Sequence, residues 1–238
     1  MRYALVGFGK MGRPIDAAAV ARGHERALVV DRAAKGRGMA RSIDDASWRG
    51  IGAAFEFTQA EAAPGHVIAL LSRGVPVVCG TTGWDATDAA VRRAARASRA
   101  GAVIAPNFSI AMNLFYGLVE QAARRFGAVG TFDPWIAEWH HAAKRDAPSG
   151  TAKRLAAIVG GEVPVVAIRA GHEPGRHVVG LDGPDDLVTL SHAARGRSGF
   201  AVGAVVAAEW LRGRRGLHPF EDVIEDLVRR PRRRGGRR

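Results

Sequence analysis

The 238-residue chain reads as an α/β protein, with a Rossmann-type parallel sheet followed by an α+β domain carrying a mixed sheet. Three observations carry this reading. A glycine-rich turn joins the first apolar run to the first helical run. Short apolar stretches alternate with helical ones up to about residue 105, as a parallel doubly wound sheet requires. From about Ile110 a long helical run gives way to several alternating, β-like segments, so a second domain begins there.

Tyr3-Ala-Leu-Val-Gly7 is the first strand. Gly7-Phe8-Gly9-Lys10-Met11-Gly12 opens a helix that runs to about Arg22, and Ala27–Asp31 is the second strand. Gly7, Gly9 and Gly12 stand in G-x-G-x-x-G spacing, and Asp31 closes the second strand 19 residues after Gly12. Such glycines let the backbone approach a pyrophosphate at the helix N-terminus, and the acid bonds a ribose hydroxyl. A nicotinamide dinucleotide is therefore expected over residues 7–12, Asp31 and Arg32. Arg32 could pair with a 2′-phosphate, so NADH and NADPH both stay open.

Further βα units follow. Ala53–Thr58 is a strand, Ala60–Ser72 a helix, Pro76–Cys79 a strand, Asp85–Ala100 a helix and Gly101–Ala105 a strand. The loops at the carboxyl ends of these strands hold Phe57, Thr58, Gly80, Thr81, Thr82, Pro106, Asn107, Phe108 and Ser109. In open α/β sheets ligands bind along those ends, so these residues complete the expected cofactor site.

The second region holds the most informative run, Glu138-Trp-His-His-Ala-Ala-Lys-Arg-Asp-Ala-Pro-Ser-Gly-Thr151. Alternation over 134–141 predicts a strand that puts Ile136, Glu138 and His140 on one face. Asp146-Ala147-Pro148 punctuates the chain, and 151–159 reads as a helix stopped by Gly160-Gly161. Ser149, Gly150 and Thr151 then sit at a helix N-terminus, where free N–H groups and the helix dipole favour an anion. Lys144 adds a mobile cation, and His140 can exchange a proton near neutral pH. Together they make a site for an anionic substrate that must be protonated. Segments 163–170, 177–181 and 186–192 read as strands, 200–211 as a long apolar helix and 219–230 as an amphipathic one.

Bulk properties narrow the classes. No apolar run approaches the ~20 residues needed to cross a bilayer. One cysteine, Cys79 in an apolar run, excludes an internal disulfide and suits a reducing, cytoplasmic setting. Net charge is +12, but Arg229–Arg238 holds seven arginines and no acid, and without it the charge is +5. That Gly/Pro-containing tail reads as disordered, which weakens nucleic acid as a partner. Lysine occurs only at 10, 35, 144 and 153, so Lys144 is more telling than any arginine. No metal is expected.

The 138–152 run resembles the signature of the 4-hydroxy-tetrahydrodipicolinate reductase (dihydrodipicolinate reductase) family, Glu-x-His-His-x-x-Lys-x-Asp-Ala-Pro-Ser-Gly-Thr-Ala, at every fixed position. Gly80-Thr-Thr-Gly, Asn107-Phe-Ser, Arg169-Ala-Gly, Gly175-Arg-His and Asp186–His192 are similar to further family segments, and the likeness runs from residue 1 to about 228. The glycine loop is one residue tighter than the family's common form, and the arginine tail has no counterpart. The resemblance implies NAD(P)H-dependent reduction of 4-hydroxy-tetrahydrodipicolinate, with loss of water, on the way to diaminopimelate and lysine. It implies His140 and Lys144 as the catalytic pair, with His141, Ser149, Gly150 and Thr151 binding the dicarboxylate substrate. It also implies that the C-terminal helices return to the first domain. The division is then 1–109 with 198–238 for the dinucleotide and 110–197 for substrate and oligomer contacts, in a homotetramer built through the substrate-domain sheets. Another Rossmann amino- or keto-acid dehydrogenase would share residues 1–105 without needing the 138–151 run. A basic nucleic-acid binder would leave the glycine loop, Asp31 and Lys144 unexplained.

Overall fold

The computed structural model describes residues 1–33 and 35–229. The chain folds into two units, one of residues 1–109 plus those from Ser198 onward, and a second of Ile110–Arg197. The tail expected to be disordered falls on residues 230–238, outside the described residues, except that Arg229 is the last residue of a helix.

The first unit is built on seven parallel strands. They are β1 (Arg2–Val6), β2 (Glu25–Val30), β3 (Met39–Ala40), β4 (Ala53–Glu56), β5 (Val77–Cys79), β6 (Gly101–Ile104) and β11 (Gly216–His218), in the spatial order β11-β6-β5-β4-β1-β2-β3. The order reverses between β1 and β4, which makes their carboxyl ends the natural ligand crevice. Strands buried on both faces read as near-continuous apolar runs, as Tyr3-Ala-Leu-Val and Val77-Val-Cys do. Helices α1 (Gly12–Ala21), α2 (Ala63–Ser72), α3 (Ala89–Ala97), α6 (Ser198–Trp210) and α7 (Phe220–Arg229) belong to this unit. Along α6, small residues allow very close approach: a Cβ on Gly203 would lie 1.7 Å from the Phe108 carbonyl oxygen. Its Ala201, Ala204, Ala207 and Ala208 are fully buried, which explains a helix apolar on all sides.

Two strands escape the sequence reading. β3 and β11 have two and three residues, too few to show an alternation, and only pairing with β2 and β6 defines them. The helix expected from Asp85 starts at Ala89 instead. Asp85 accepts from the Thr87 amide and hydroxyl in a preceding turn, and Asp88 becomes the cap, accepting from the Ala90 and Val91 amides.

The second unit is a four-stranded mixed sheet in the order β10-β9-β7-β8, from β7 (Asp133–His140), β8 (Val165–Arg169), β9 (Arg176–Asp182) and β10 (Leu187–Ala193). Only β7 and β8 run parallel. Helices α4 (Ile110–Val129) and α5 (Gly150–Val159) cover one face, where Met112, Phe115, Val119, Ile136, Leu155 and Val179 form its core.

Candidate active site

At the carboxyl end of β1 the glycine loop closes as its spacing requires. Gly7 has φ +91°, and a Cβ there would lie 2.5 Å from the Phe57 carbonyl oxygen. A Cβ on Gly12 would lie 2.3 Å from the Gly7 carbonyl oxygen, so the helix start is pressed onto the loop. Gly9 has nothing within 4 Å. Helix α1 begins without a side-chain cap, leaving its first N–H groups free of one. Tight at Gly7 and Gly12, open at Gly9 and uncapped at the helix start, this cradle fits a dinucleotide pyrophosphate. The tighter glycine loop therefore still forms the cradle.

Asp31 lies just beyond β2, its carboxylate accepting from the Phe8 amide at 2.9 Å and the Ala33 amide at 2.9 Å. Those two bonds hold its carboxyl below the usual range, so it stays ionised beside the glycine loop. A cleft of about 710 Å³ runs past Gly7, Gly9, Asp31, Arg32, Thr58 and His66. Arg32 and Lys10 are exposed, and Met11 is half-buried. The Phe8 ring is flanked by the Arg13 and Arg26 guanidinium groups at 4.8 and 5.4 Å.

The loops after β4 and β5 are tied together. The Thr58 amide donates to the Thr81 hydroxyl at 2.8 Å, and the Thr58 hydroxyl bonds Glu56. Glu56 is fully buried, with His66 at 3.2 Å and the Cys79 thiol donating at 3.1 Å. Burial alone would raise its pKa, but the bonds from His66, Thr58, Thr81 and Cys79 outweigh it and lower it. Burial, with the Glu56 charge, pushes the Cys79 thiol well up, so it is an inert packing residue. Gly80 is backed by the Phe57 ring, on which a Cβ would land at 2.1 Å, and Thr82 is exposed. Phe57 and Phe108, both expected near the cofactor, pack their rings together. Phe108 is buried between Phe57 and Phe220, at ring separations of 5.9 and 4.9 Å, and Phe57 shares that contact. Phe57 is only half-buried and also lines the cleft, whereas Phe108 is buried. Ser109 is buried, with its amide donating to the Asn107 side chain at 2.8 Å, and Pro106 is exposed.

The second cluster lies at the end of β7. Alternation places Glu138 and His140 on the Ile136 face, as the sequence predicts, and both are buried. Strand register then supplies partners from far away in the chain: Glu138 pairs with His177 of β9, and His140 with Arg169 of β8. The Glu138 carboxylate has no exposure at all. It accepts from the Ser149 amide at 2.8 Å, from the Ser149 hydroxyl, and from the Arg169 guanidinium at 2.6 Å. His140 Nδ1 stands 3.4 Å from one Glu138 oxygen without hydrogen-bond alignment, and His177 Nε2 stands 3.3 Å from the same oxygen. Burial would raise the Glu138 pKa, yet the Ser149 and Arg169 bonds lower it, so the group is an anion. Burial lowers the His140 pKa, with Lys144 and Arg169 adding to this and Glu138 and Asp146 opposing it. Burial and the neighbouring His140 push His177 down to about 4.

The helix end and the cation flank this cluster. Ser149 caps α5, accepting from the Ala152 amide at 3.2 Å. The Ser149 amide and hydroxyl both turn inward to Glu138, and the residue is 3 % exposed. Gly150 and Thr151 remain at the helix start, exposed and half-buried. The Lys144 amide donates to the His141 carbonyl at 3.1 Å, and its ammonium donates to Asp146 at 2.6 Å. Arg169 also donates to the Asp146 carbonyl at 2.5 Å, clipping the loop to β8. Gly175 lies against His140, where a Cβ would sit 3.0 Å from Nε2. The sequence does not assign roles to Glu138, Arg169, Gly175 and His177. Their segments read as strands or turns, but no local pattern says which strands pair.

Glu138, His140 and His177 bring ligand atoms within 4.8 Å of one another. Arg169 and Ser149 already satisfy that carboxylate and neutralise its charge, so a cation would compete with an existing ion pair.

The family model described as dihydrodipicolinate reductase, N-terminus, matches residues 1–108, and the one described as dihydrodipicolinate reductase, C-terminus, matches residues 111–224. A relative from Christiangramia forsetii named 4-hydroxy-tetrahydrodipicolinate reductase is 31 % identical, covering 96 % of this chain and all of the relative. One of the same name from Archaeoglobus fulgidus is 33 % identical over 94 % of this chain and all of the relative. In fold, the chain is similar to a dipicolinate-bound dihydrodipicolinate reductase from a Paenisporosarcina species, with a TM-score of 0.73, 23 % identity and coverage of 92 % of this chain and 97 % of that one. On two family models that together span nearly its whole described length, and on full-length relatives, this chain belongs to the dihydrodipicolinate reductase family.

Proposed function

We propose that His140 and Lys144 supply and steer the proton in the reduction of 4-hydroxy-tetrahydrodipicolinate to tetrahydrodipicolinate, with His141, Gly150 and Thr151 binding the carboxylates. The reaction class follows from the family: the chain is an NAD(P)H-dependent oxidoreductase of lysine and diaminopimelate biosynthesis. A hydride and a proton are added to the substrate and one water leaves. A bound nicotinamide dinucleotide supplies the hydride.

The chain's own groups do the rest. The first unit, residues 1–109 with those from 198, serves the dinucleotide, with Gly9 leaving space for the pyrophosphate and Asp31 facing the ribose. Asp31 favours NADH and Arg32 favours NADPH, so both are used. In the second unit the free N–H groups at the start of α5 and the Lys144 ammonium attract one carboxylate each, with His141 beside Lys144. Hydride arrival leaves electron density on a conjugated enamine, and His140 delivers the proton to it. Lys144 lowers the pKa of His140, which favours release of that proton. Asp146 holds Lys144 in its loop until the substrate anion competes for it.

One observation carries the proposal. An imidazole and a helix N-terminus for binding anions hang from the same buried carboxylate, with a lysine in the connecting loop. The similar Paenisporosarcina reductase, solved with dipicolinate bound, supports a planar dicarboxylate as ligand. A tetramer is supported by the sheet face opposite α4 and α5. It presents Trp135, Trp139, Val166, Ile168 and Val178 with no covering helix among the described residues, and Val166 is 58 % exposed. Among the described residues no helix is long and apolar enough to cross a membrane, and a biosynthetic role of this kind suits the cytoplasm. The direct test is NAD(P)H oxidation by the pure protein with substrate freshly made from aspartate semialdehyde and pyruvate. Absence of turnover with either cofactor would refute the substrate assignment.

A further inference from the structure

We propose that Glu138 is a positioning residue that couples the proton-donating imidazole of His140 to the anion-binding start of α5 through Ser149. The inference rests on the roles given above to His140 and to the α5 N-terminus.

The geometry has three parts. One Glu138 oxygen faces His140 Nδ1 at 3.4 Å and His177 Nε2 at 3.3 Å, with the Ser149 hydroxyl bonded to it as well. The other oxygen takes the Ser149 amide at 2.8 Å and the Arg169 guanidinium at 2.6 Å. Ser149 is the N-cap whose side chain accepts from Ala152. The same fully buried carboxylate thus fixes where α5 begins and supplies the negative charge that an imidazolium at 140 needs. A buried carboxylate 3.4 Å from an imidazole nitrogen stabilises the protonated ring by its charge even without an aligned hydrogen bond. Here the carboxylate also carries the cap, so the substrate cradle and the charge of the proton donor depend on one group.

The groups facing His140 come from every element around it. Glu138 lies on β7, Arg169 on β8 and His177 on β9, while Lys144 and Asp146 lie in the loop before α5. Glu138 and Asp146 favour the imidazolium; Lys144, Arg169 and burial disfavour it. His177, with a ring centroid 5.1 Å away, is itself kept neutral by burial and adds no charge at working pH. Removing the Glu138 charge tips this balance against the imidazolium. An opposite charge at this range is typically worth one to three pKa units, so the loss is legible in a pH profile.

The test uses the full-length protein with NADH and compares Glu138→Gln, Ser149→Ala and His140→Ala. Glu138→Gln should lower kcat by about 10- to 100-fold and move the alkaline limb of kcat/KM to lower pH by about one unit. NADH affinity should be unchanged. Ser149→Ala keeps the Glu138 charge, so its limb should stay in place. Its affinity for pyridine-2,6-dicarboxylate, measured by calorimetry with NADH present, should fall about tenfold, the effect of one lost cap and charge-assisted bond. An unmoved limb in Glu138→Gln together with wild-type dicarboxylate affinity in Ser149→Ala would overturn the coupling. If Glu138→Gln does not fold, wild-type dicarboxylate affinity in Ser149→Ala overturns it alone. His140→Ala separates this failure from that of the underlying reading: full activity there removes His140 from the mechanism, whereas strong loss there with an unmoved Glu138→Gln limb overturns only the role of Glu138.

Discussion

Replacing Gly9 by alanine separates a glycine needed by the fold from one needed by the ligand. A Cβ at Gly9 meets nothing within 4 Å, and its φ lies outside the positive range that alanine avoids. The variant should therefore melt within a few degrees of wild type, and a gain of ~0.4–1 kcal/mol from a stiffer unfolded chain is expected. The cofactor is not indifferent in the same way: the open space over Gly9 is where a pyrophosphate would approach the backbone. A methyl there pushes the phosphate off the backbone N–H groups, and one lost charge-assisted bond typically costs about 1.5–3 kcal/mol, roughly 10- to 100-fold in affinity. Gly12→Ala is the counter-case. Its Cβ would lie 2.3 Å from the Gly7 carbonyl oxygen, against ordinary contacts of 3.4–4 Å, so the loop or α1 must move by about 1 Å with or without cofactor. Thermal melting of the cofactor-free proteins, paired with fluorescence titration of NADH, reads both effects. Gly9→Ala should lose NADH affinity and keep its Tm, whereas Gly12→Ala should lose both. Wild-type NADH affinity in Gly9→Ala would refute the path of the pyrophosphate over this loop.

Lys144→Ala and His140→Ala should each lower kcat/KM by about 10²–10⁴-fold with circular dichroism unchanged, since a positioned acid and a clamp both act on one substrate; near wild-type turnover in both would remove them from the mechanism. Pyridine-2,6-dicarboxylate should inhibit competitively with substrate, and Thr151→Val should weaken that inhibition; no heat of binding in the presence of NADH would count against a dicarboxylate site. NADH and NADPH should differ in kcat/KM by less than about a hundredfold, because Asp31 and an exposed Arg32 oppose each other and such pairs are worth only ~1 kcal/mol. Arg32→Ala should hurt NADPH more than NADH, and an equal loss would rule out Arg32 as the phosphate reader. His177 is neutral when folded, with its pKa pushed from 6.5 down to about 4, so its contribution is complete above pH 6.5 and is lost as pH falls toward 4. The shift corresponds to a loss on the order of 3 kcal/mol, so Tm should drop steeply over that window. His177→Gln should flatten the drop, and an unchanged slope would exclude His177 as the titrating group.

Much of this protein is written locally. Glycine spacing, a terminal acid and apolar runs separated by helices specify the dinucleotide-binding unit, because turn chemistry and periodicity are properties of neighbouring residues. The same holds for the 138–151 run: alternation alone puts Glu138 and His140 on one face, and Pro148-Ser149 sets the start of α5. Strand pairing is not local. Only the register of β7 against β8 and β9 brings Arg169 and His177 to Glu138, and only that buried carboxylate turns Ser149 inward. β3 and β11 exist for the same reason, since two or three residues become a strand when a neighbour offers its edge. The side chains of Phe57 and Phe108, placed by sequence among the cofactor residues, pack together because burying their apolar area outweighs leaving them at the sheet's rim. The sequence thus names the chemical groups, while the tertiary structure decides which buried charge each must answer to. A desolvated carboxylate takes whatever donors the fold brings within reach, however far apart they lie in the chain.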